Sequence, residues 1–309
     1  MAQYHALIAG LPNLSIELGR APYTQEEFYT ELLEVLSGKD RERLDWLRLE
    51  QVNREFLALF RSGALAPRTE DEESEAEELA HITLPISELR HISTQASLGN
   101  RLRRSETVPS YMIRFLNEQY YQAPEGSEDE ETSVPSSLLS DEDRLAQLYF
   151  ASASGCKNAF LEDWFRFNQT LRNVLLVYTC RQLDWDPKRY IVGDSPIEEA
   201  LLTSKAKDFG LGEEIPYMAQ LIHIAEEKDI AKRERLIDVL RWQWLEEHTE
   251  WTVFDIENVL SYYLRLGIIE RWQRLDEEKG KAIFRDIVMN LKQESNKSLQ
   301  DFRAKTKKR

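Results

Sequence analysis

Glycine and proline are scarce in this sequence, with 12 and 10 examples among 309 residues. An all-β protein needs both residue types at its many turns, so this scarcity argues against that class. Alternating strand and helix patterns are also missing, which argues against a parallel α/β fold. The two cysteines, Cys156 and Cys180, are too few for a disulfide framework. We expect both to be buried thiols in a reducing compartment.

Long apolar runs and a basic leader are missing as well. No segment approaches the ~20 consecutive apolar residues that a membrane-spanning helix needs. The opening stretch, MAQYHALIAGLPNL, has no Lys or Arg before its short apolar run, unlike a secretory signal. We therefore predict a cytoplasmic protein.

The formal charge of −15 is concentrated in two acidic segments. Residues 70–78 hold seven acids and no base, and residues 125–131 hold five acids and no base. Such segments repel themselves, so we predict a mobile acidic loop at 67–80 and an acidic linker at 123–140. Nucleic acid is not an expected partner, because affinity for phosphates requires clustered Lys and Arg.

Helical periodicity dominates the rest of the chain. Thr24 and Glu27 form a capping-box pattern before a helix that we expect to end at Gly38. Further helices are predicted at 40–61, 85–97, 108–122, 157–185, 196–208, 216–227, 229–247, 252–272 and 276–291, with another starting after Ser140. Thr252 is the predicted cap of the helix 252–272.

One short segment departs from this helical pattern. Alternation at Tyr4, Ala6 and Ile8 suggests a short N-terminal strand or an extended arm. The predicted fold is therefore an all-α, multi-lobed helical bundle. Its parts are an N-terminal helical lobe at 1–122, the linker, a C-terminal helical lobe at 141–294 and a basic tail at 295–309.

Motifs that would support catalysis are weak. The loop GLGEEI at 210–215 lacks the third glycine and the lysine of phosphate-binding loops, so a plain connection between helices is the better interpretation. Two Glu-x-x-His patterns, Glu78/His81 and Glu88/His91, resemble half of a carboxylate di-metal site. They lie only ten residues apart with a proline between them, which favours ordinary surface histidines. We predict no enzyme activity, no cofactor and no metal, and keep a helical metalloenzyme as the weakest alternative.

A compact basic patch, GNRLRRSE at 99–106, stands out in an acidic protein. It contains Arg101, Arg103 and Arg104. The patch is either a solvated loop or helix end, or a contact for acidic groups. Those groups would belong to a partner surface or to the chain's own acidic segments.

Aromatic residues are the richest signal in the C-terminal half. Trp242 and Trp244 are two residues apart on a predicted helix, so they point to different faces, and one of them needs a second apolar surface. Tyr263 falls on the buried stripe of the helix 252–272, whereas Tyr262 points elsewhere and is expected to pack on a neighbouring lobe. Gly267 allows a close approach or a bend. These residues are predicted to serve packing or an interface.

Both ends of the chain resemble one family. YHALIAGLPNLSIE (4–17) and FDIENVLSYYLRLGIIERWQRLDEEKGKAIFRDIV (254–288) are similar to DUF2764, a family of uncharacterised proteins from Bacteroides-type bacteria. The members of that family are encoded among the subunits of a V-type (A/V-type) ATP synthase. Because the resemblance covers both ends, we expect it to extend over the full chain.

That family in turn resembles the all-helical C subunit of V/A-type ATPases, also known as the d subunit. Tyr263, Glu270, Arg271 and Gly280-Lys281 follow the order of its closing segment, whereas Arg265-Leu266-Gly267 replaces a Lys-Glu pair. The resemblance implies a non-catalytic connector in the central stalk of a proton- or sodium-transporting machine. Its partners would be the rotor shaft and the membrane rotor ring, with contact to the membrane only through proteins. The alternative is a helical adaptor or scaffold unrelated to ATPases.

Overall fold

The computed structural model describes residues 4–18, 20–67, 84–121, 139–252 and 254–275. Over these ranges the chain forms helices and no strand, which confirms the predicted all-α class. The α-helices are α1 (His5–Gly10), α2 (Gln25–Val35), α3 (Gly38–Arg61), α4 (Ile86–Ser97), α5 (Ser110–Tyr120), α6 (Asp141–Ala153), α7 (Ala159–Leu183), α8 (Pro196–Thr203), α9 (Met218–Glu226), α10 (Ile230–Thr249) and α11 (Ile256–Gln273). A short 3-10 helix covers Pro187–Arg189.

The chain divides into two compact units. Unit 1 combines Met1–Glu42 with His223–Arg309, and unit 2 is the continuous stretch Arg43–Ile222. In unit 1, α11 packs against both α10 and α2. In unit 2, successive helices from α4 to α8 pack against each other in chain order. This division differs from the predicted lobes 1–122 and 141–294, since α5 and α6 flank the predicted linker and pack together within unit 2.

Polar caps set several helix starts where the sequence predicts them. The Thr24 hydroxyl accepts a hydrogen bond of 3.1 Å from the backbone N–H of Glu27, whose carboxylate accepts one of 2.7 Å from the Thr24 N–H. Both halves of the predicted capping box are therefore present. The Ser140 hydroxyl accepts a hydrogen bond of 3.2 Å from the Asp143 N–H at the start of α6. Removing such a cap costs about 1 kcal/mol in typical proteins.

The expected N-terminal strand or arm is instead the helix α1, so that prediction was wrong. The Ile8 N–H donates to the Tyr4 carbonyl at 2.9 Å, which closes a helical turn. Leu7 and Ala9 are apolar too, so the alternation from Tyr4 to Ala9 does not encode one buried strand face. The turn is fixed at its start, because the Tyr4 N–H donates to the Phe254 carbonyl at 3.0 Å. The Tyr4 hydroxyl donates to Asp40 at 2.5 Å.

Two predicted helix boundaries are also wrong. Gly38 does not end α2 but is the first residue of α3, and the neighbouring Ser37 hydroxyl accepts a hydrogen bond of 3.4 Å from the Asp40 N–H. Thr252 does not cap α11, whose N-cap residue is Asp255. The Thr252 hydroxyl instead donates to the Thr249 carbonyl at 3.4 Å. Gly38 and Thr252 each lie within a few residues of a helix end, but neither is the residue that ends or caps the predicted helix.

Several predicted features lie outside the described residues. They are nearly all of the acidic segments 67–80 and 123–140, the predicted helix 276–291 and the basic tail 295–309. Among the residues that are described, no helix is long and apolar enough to cross a membrane.

Each unit has its own set of buried aromatic and aliphatic residues. In unit 1, Phe28 and Leu32 of α2 are fully buried, as is Leu266 of α11. In unit 2, the rings of Phe56 and Phe115 meet edge to face, with centroids 5.6 Å apart. Burying a side chain of this size contributes roughly 1.5–3 kcal/mol. Phe28 and Leu32 are four residues apart, so they lie on one face of α2, and that face is the one buried in unit 1.

Candidate functional site

The predicted basic patch forms one wall of a groove in unit 2. The groove encloses about 590 Å³. It is lined by the stretch after α4 (Arg101, Leu102, Arg103), by α5 (Ser110, Tyr111, Ile113, Arg114, Asn117, Glu118) and by α6 (Leu148, Ala151, Ser152). Arg104, the third arginine of the patch, is exposed and is not part of the lining. A cleft of this size lies within the range of known small-molecule sites, roughly 300–1,000 Å³.

Specific contacts hold the basic wall of the groove against α5. The Asn117 side-chain N–H donates to the Leu102 carbonyl at 2.7 Å. The guanidinium of Arg101 lies 3.8 Å from the centre of the Tyr121 ring, a cation–π contact. Arg103 is exposed and forms no hydrogen bond or ion pair with any residue that the structure describes. The basic wall is therefore held in place by Asn117 and Tyr121, and the charge of Arg103 at its edge is not paired with any described residue.

One carboxylate at the groove, Glu118, is already neutralised. Arg144 of α6 donates two hydrogen bonds to it, of 2.7 Å from Nε and 2.6 Å from Nη2. Arg114 adds a third of 3.0 Å. The side chains of Glu118 and Arg144 are 10% and 17% exposed, whereas that of Arg114 is 67% exposed. A bidentate pair of this kind also ties α5 to α6.

Trp242 and Trp244 are both buried, at 3% and 6% exposure. The Trp242 indole N–H donates to Glu246 at 2.7 Å, and the Arg265 guanidinium lies 5.5 Å from its ring centre. The Trp244 ring stacks on His248 with centroids 3.7 Å apart. Each tryptophan therefore has its own environment in the interior, and neither presents an exposed surface.

Tyr262 and Tyr263 are buried as well and connect α11 to the first part of the chain. The Tyr262 hydroxyl accepts a hydrogen bond of 2.9 Å from the Tyr23 hydroxyl and donates to the Pro12 carbonyl at 3.0 Å. The Tyr263 carbonyl accepts a hydrogen bond of 3.1 Å from the Gln25 amide. These contacts lie within unit 1, so the partner of Tyr262 is distant in sequence but belongs to the same unit.

Gly267 allows the close approach that the sequence suggests. A Cβ atom at this position would lie 2.5 Å from the side-chain nitrogen of Gln25. No larger residue fits unless Gln25 moves, and Gln25 is held by its hydrogen bond to the Tyr263 carbonyl. The glycine therefore belongs to the packing of α11 against α2.

A buried charge cluster between α10 and α11 was not singled out from the sequence. Asp238, with its side chain 3% exposed, contacts Arg241 at 3.4 Å and Arg271 at 3.2 Å. The Trp272 indole N–H donates to it at 2.6 Å. Burial raises the pKa of Asp238, while both arginines and the indole oppose that rise. Its signal in the sequence is a lone acid inside the apolar stretch LIDVL at 236–240.

Arg235 of α10 also belongs to this cluster, because it contacts the face of the Trp272 ring. Its guanidinium lies 3.5 Å from the centre of the Trp272 ring. Burial lowers the pKa of Arg235 to about 10, which leaves it positively charged at neutral pH. The cluster combines ion pairs, a charged hydrogen bond and a cation–π contact, all of which resist sliding of α11 along α10.

The residues considered for catalysis occupy ordinary surroundings. The Glu88 carboxylate accepts hydrogen bonds from the hydroxyls of Ser105 and Thr107, while Glu78 and His81 lie outside the described residues. Within the described ranges, no three His, Cys, Asp or Glu side chains come together as a metal site. Burial raises the pKa of Cys156 and of Cys180, which disfavours the reactive thiolate.

The glycine-containing loop 210–215 connects α8 to α9 rather than following a strand. Its Gly210 N–H donates to the side chain of Asp208 at 3.0 Å. Gly210 has φ of +76°, the left-handed conformation typical of a turn glycine. The loop therefore has the local hydrogen bonding of a tight connection between helices, as the sequence suggests.

Comparison with known proteins identifies a family. The family described as "Protein of unknown function (DUF2764)" matches residues 1–295. Neither a curated protein nor a solved structure matches the chain. Because the family match covers almost the whole sequence, the chain belongs to the DUF2764 family.

Proposed function

We propose that the chain is a non-catalytic connector in the central stalk of a V/A-type ATPase, where it couples the rotor shaft to the membrane rotor ring. The proposal rests on the sequence resemblance in which Tyr263, Glu270, Arg271 and Gly280-Lys281 follow the order of the closing segment of the ATPase C subunit. Membership of DUF2764 is compatible with the proposal, because the resemblance implies that the gene lies beside those of an ATP synthase. The site of action would be the cytoplasmic face of the membrane, reached through protein contacts.

The helical packing of unit 1 supports a mechanical role. A connector that transmits torque must not shear internally, and α10 and α11 are fastened by the Asp238 cluster. On the other face of α11, Tyr262 and Tyr263 hold residues 12–25 by side-chain and backbone hydrogen bonds. Such a connector performs no bond chemistry and acts through packing and complementary charge.

An exposed tryptophan in unit 1 offers a contact for a partner. Trp251 follows α10 and is 84% exposed, and the nearby Phe254 is 36% exposed. Tryptophan is enriched among the residues that dominate binding energy in protein interfaces. We infer that the turn between α10 and α11 contacts a protein of the stalk or the ring.

Co-purification tests the proposal directly. The tagged full-length chain should retain the rotor-shaft and ring proteins of the same organism. Trp251→Ser should reduce that retention, whereas Trp185→Ser, which changes a 55% exposed tryptophan of unit 2, should leave it unchanged. A folded chain with no affinity for either the shaft or the ring would overturn the assignment.

A second candidate is an adaptor unrelated to ATPases, favoured by the arginine-lined groove of unit 2. Such a groove suits an acidic protein partner of any assembly. The genes adjacent to this one separate the two candidates, because a connector belongs beside the shaft and ring genes. The metalloenzyme alternative gains no support from Glu88, whose carboxylate is occupied by two hydroxyls. A zinc titration of the full chain tests that alternative.

A further inference from the structure

The groove of unit 2 has an excess of positive charge that the described chain does not neutralise. Arg101, Arg103 and Arg114 line it, and Glu118 is its one acidic lining residue. Arg144 already satisfies Glu118 with two hydrogen bonds. Arg114 also donates to Glu118, so the guanidinium groups of Arg101 and Arg103 are the ones available to further carboxylates. Arginine binds a carboxylate in a planar, two-pronged geometry.

The floor of the groove also offers some apolar surface between its polar groups. Ala151 is exposed and Leu102 is partly exposed, whereas Ile113 and Leu148 lie beneath them at 1% and 4% exposure. An apolar floor binds apolar side chains, and an arginine edge binds carboxylates. A simple inorganic anion would use only the edge, whereas a peptide with both kinds of side chain would use the whole groove.

We infer that this groove docks an acidic, amphipathic segment of a partner protein, with carboxylates on Arg101 and Arg103 and apolar side chains on the floor formed by Leu102 and Ala151. The chain's own segment EGSEDEE at 125–131 matches the charge but contains no apolar residue, so it suits the edge alone. Nucleic acid is disfavoured, since a chain of formal charge −15 repels a phosphate backbone. The inference does not depend on the ATPase assignment.

A binding experiment on the full-length chain tests the inference. The probe is a fluorescent peptide of Glu and Leu residues arranged as an amphipathic helix, followed by anisotropy. A second peptide replaces each Glu by Gln, a third has the sequence EGSEDEE, and inorganic phosphate serves as a competitor. We expect the Glu/Leu peptide to bind tightest, with affinity that falls as salt is raised from about 50 to about 200 mM.

Variants locate the binding. Arg103→Glu should weaken the Glu/Leu peptide about tenfold or more, because a favourable contact becomes a repulsive one. Arg101→Gln should weaken it less. Arg189→Glu is the matched control, since Arg189 is an exposed arginine of unit 2 outside the groove. Circular dichroism melts verify that each variant is folded.

Four results would overturn the inference. They are no binding of the Glu/Leu peptide, equal binding of its Gln version, equal loss of affinity in Arg103→Glu and Arg189→Glu, and tighter binding of EGSEDEE than of the Glu/Leu peptide. The last result would assign the groove to the chain's own acidic segment, and phosphate binding without peptide binding would assign it to a simple anion. Retention of the ATPase shaft and ring is measured separately, so either proposal can fail alone.

Discussion

The indole N–H of Trp272 donates a hydrogen bond of 2.6 Å to Asp238, a carboxylate whose side chain is 3% exposed. Arg271, the residue before Trp272, approaches the same carboxylate oxygen at 3.2 Å. A carboxylate in such a place is tolerated only when donors surround it. The C-terminal turn of α11 is thereby locked to the middle of α10.

The first prediction concerns the pH dependence of this lock. Burial raises the pKa of Asp238, so the folded state binds the proton more tightly than the unfolded state. The stabilisation that comes from protonating Asp238 in the folded state is fully present below the unfolded pKa of about 3.9. It is lost as pH rises through the folded pKa. We expect the free energy of unfolding of the wild type, relative to Asp238→Asn, to increase from neutral pH toward about pH 4.

Urea denaturation of both proteins at the two pH values measures this change. Asp163→Asn is the control, because Asp163 is an exposed carboxylate paired with Arg166. This variant shows what the loss of an exposed carboxylate does to the same comparison. A wild-type advantage over Asp238→Asn that shrinks on acidification would contradict the prediction.

The second prediction compares two arginines on one carboxylate. Arg144→Lys replaces the two-pronged contact with Glu118 by a single ammonium contact in a nearly buried position. We expect it to lower the free energy of unfolding by about 1–2 kcal/mol. Arg114→Lys changes an exposed partner of the same carboxylate and should alter stability by less than about 0.5 kcal/mol. Equal effects in chemical denaturation would show that the buried geometry contributes nothing extra.

The third prediction concerns the tyrosine pair between α11 and the start of the chain. Tyr262→Phe removes the hydroxyl that joins Tyr23 to the Pro12 carbonyl and leaves two polar groups without that partner. The expected loss is about 1–3 kcal/mol in the free energy of unfolding. Tyr190→Phe is the control, since the Tyr190 hydroxyl makes no hydrogen bond within the described ranges. A melting temperature for Tyr262→Phe that matches wild type would refute the role of the hydroxyl.

The fourth prediction concerns Gly193, which precedes α8. Its φ of +104° disfavours other residues, and an added Cβ would meet the side chains of Gln169 and Glu198, with 3.1 Å to the Glu198 Cδ. Gly193→Ala should lower the free energy of unfolding by about 2 kcal/mol or more, because strain and displaced hydrogen bonds add together. Gly155→Ala, where the added Cβ has an ordinary contact at 3.6 Å, should have a much smaller effect. Thermal melts of the two variants give the comparison.

Local patterns predicted most of the fold because they act over a few residues. The capping box at Thr24 and Glu27 needs only a span of four residues, and the spacing of apolar residues alone predicts α7 within two residues at each end. The arrangement of the units was not predictable in this way. The hydrogen bond from Tyr262 to Pro12 joins positions 250 residues apart, and nothing in either segment specifies the other.

The candidate sites show the same limit. The arginines at 101, 103 and 104 are visible as a basic patch, but the groove appears only when α5 and α6 supply its other walls. Arg241, three residues from Asp238, is visible as a donor in the sequence, but the second donor, Trp272, lies 34 residues away on α11. One of Trp242 and Trp244 was expected to need a second apolar surface, such as a partner interface. Both side chains are instead buried inside the protein, each in its own surroundings.

The division of the chain into two units has a consequence for its synthesis. Residues 4–42 are synthesised before unit 2, yet the helices that complete their own unit begin after residue 223. At 5–20 residues per second, those first residues wait about 10–40 s for α10 and α11. Unit 2 is continuous and can fold during that interval. During that interval the apolar faces of Phe28 and Leu32 on α2 lack the helices that bury them, so this part of the nascent chain is exposed to aggregation and to chaperones.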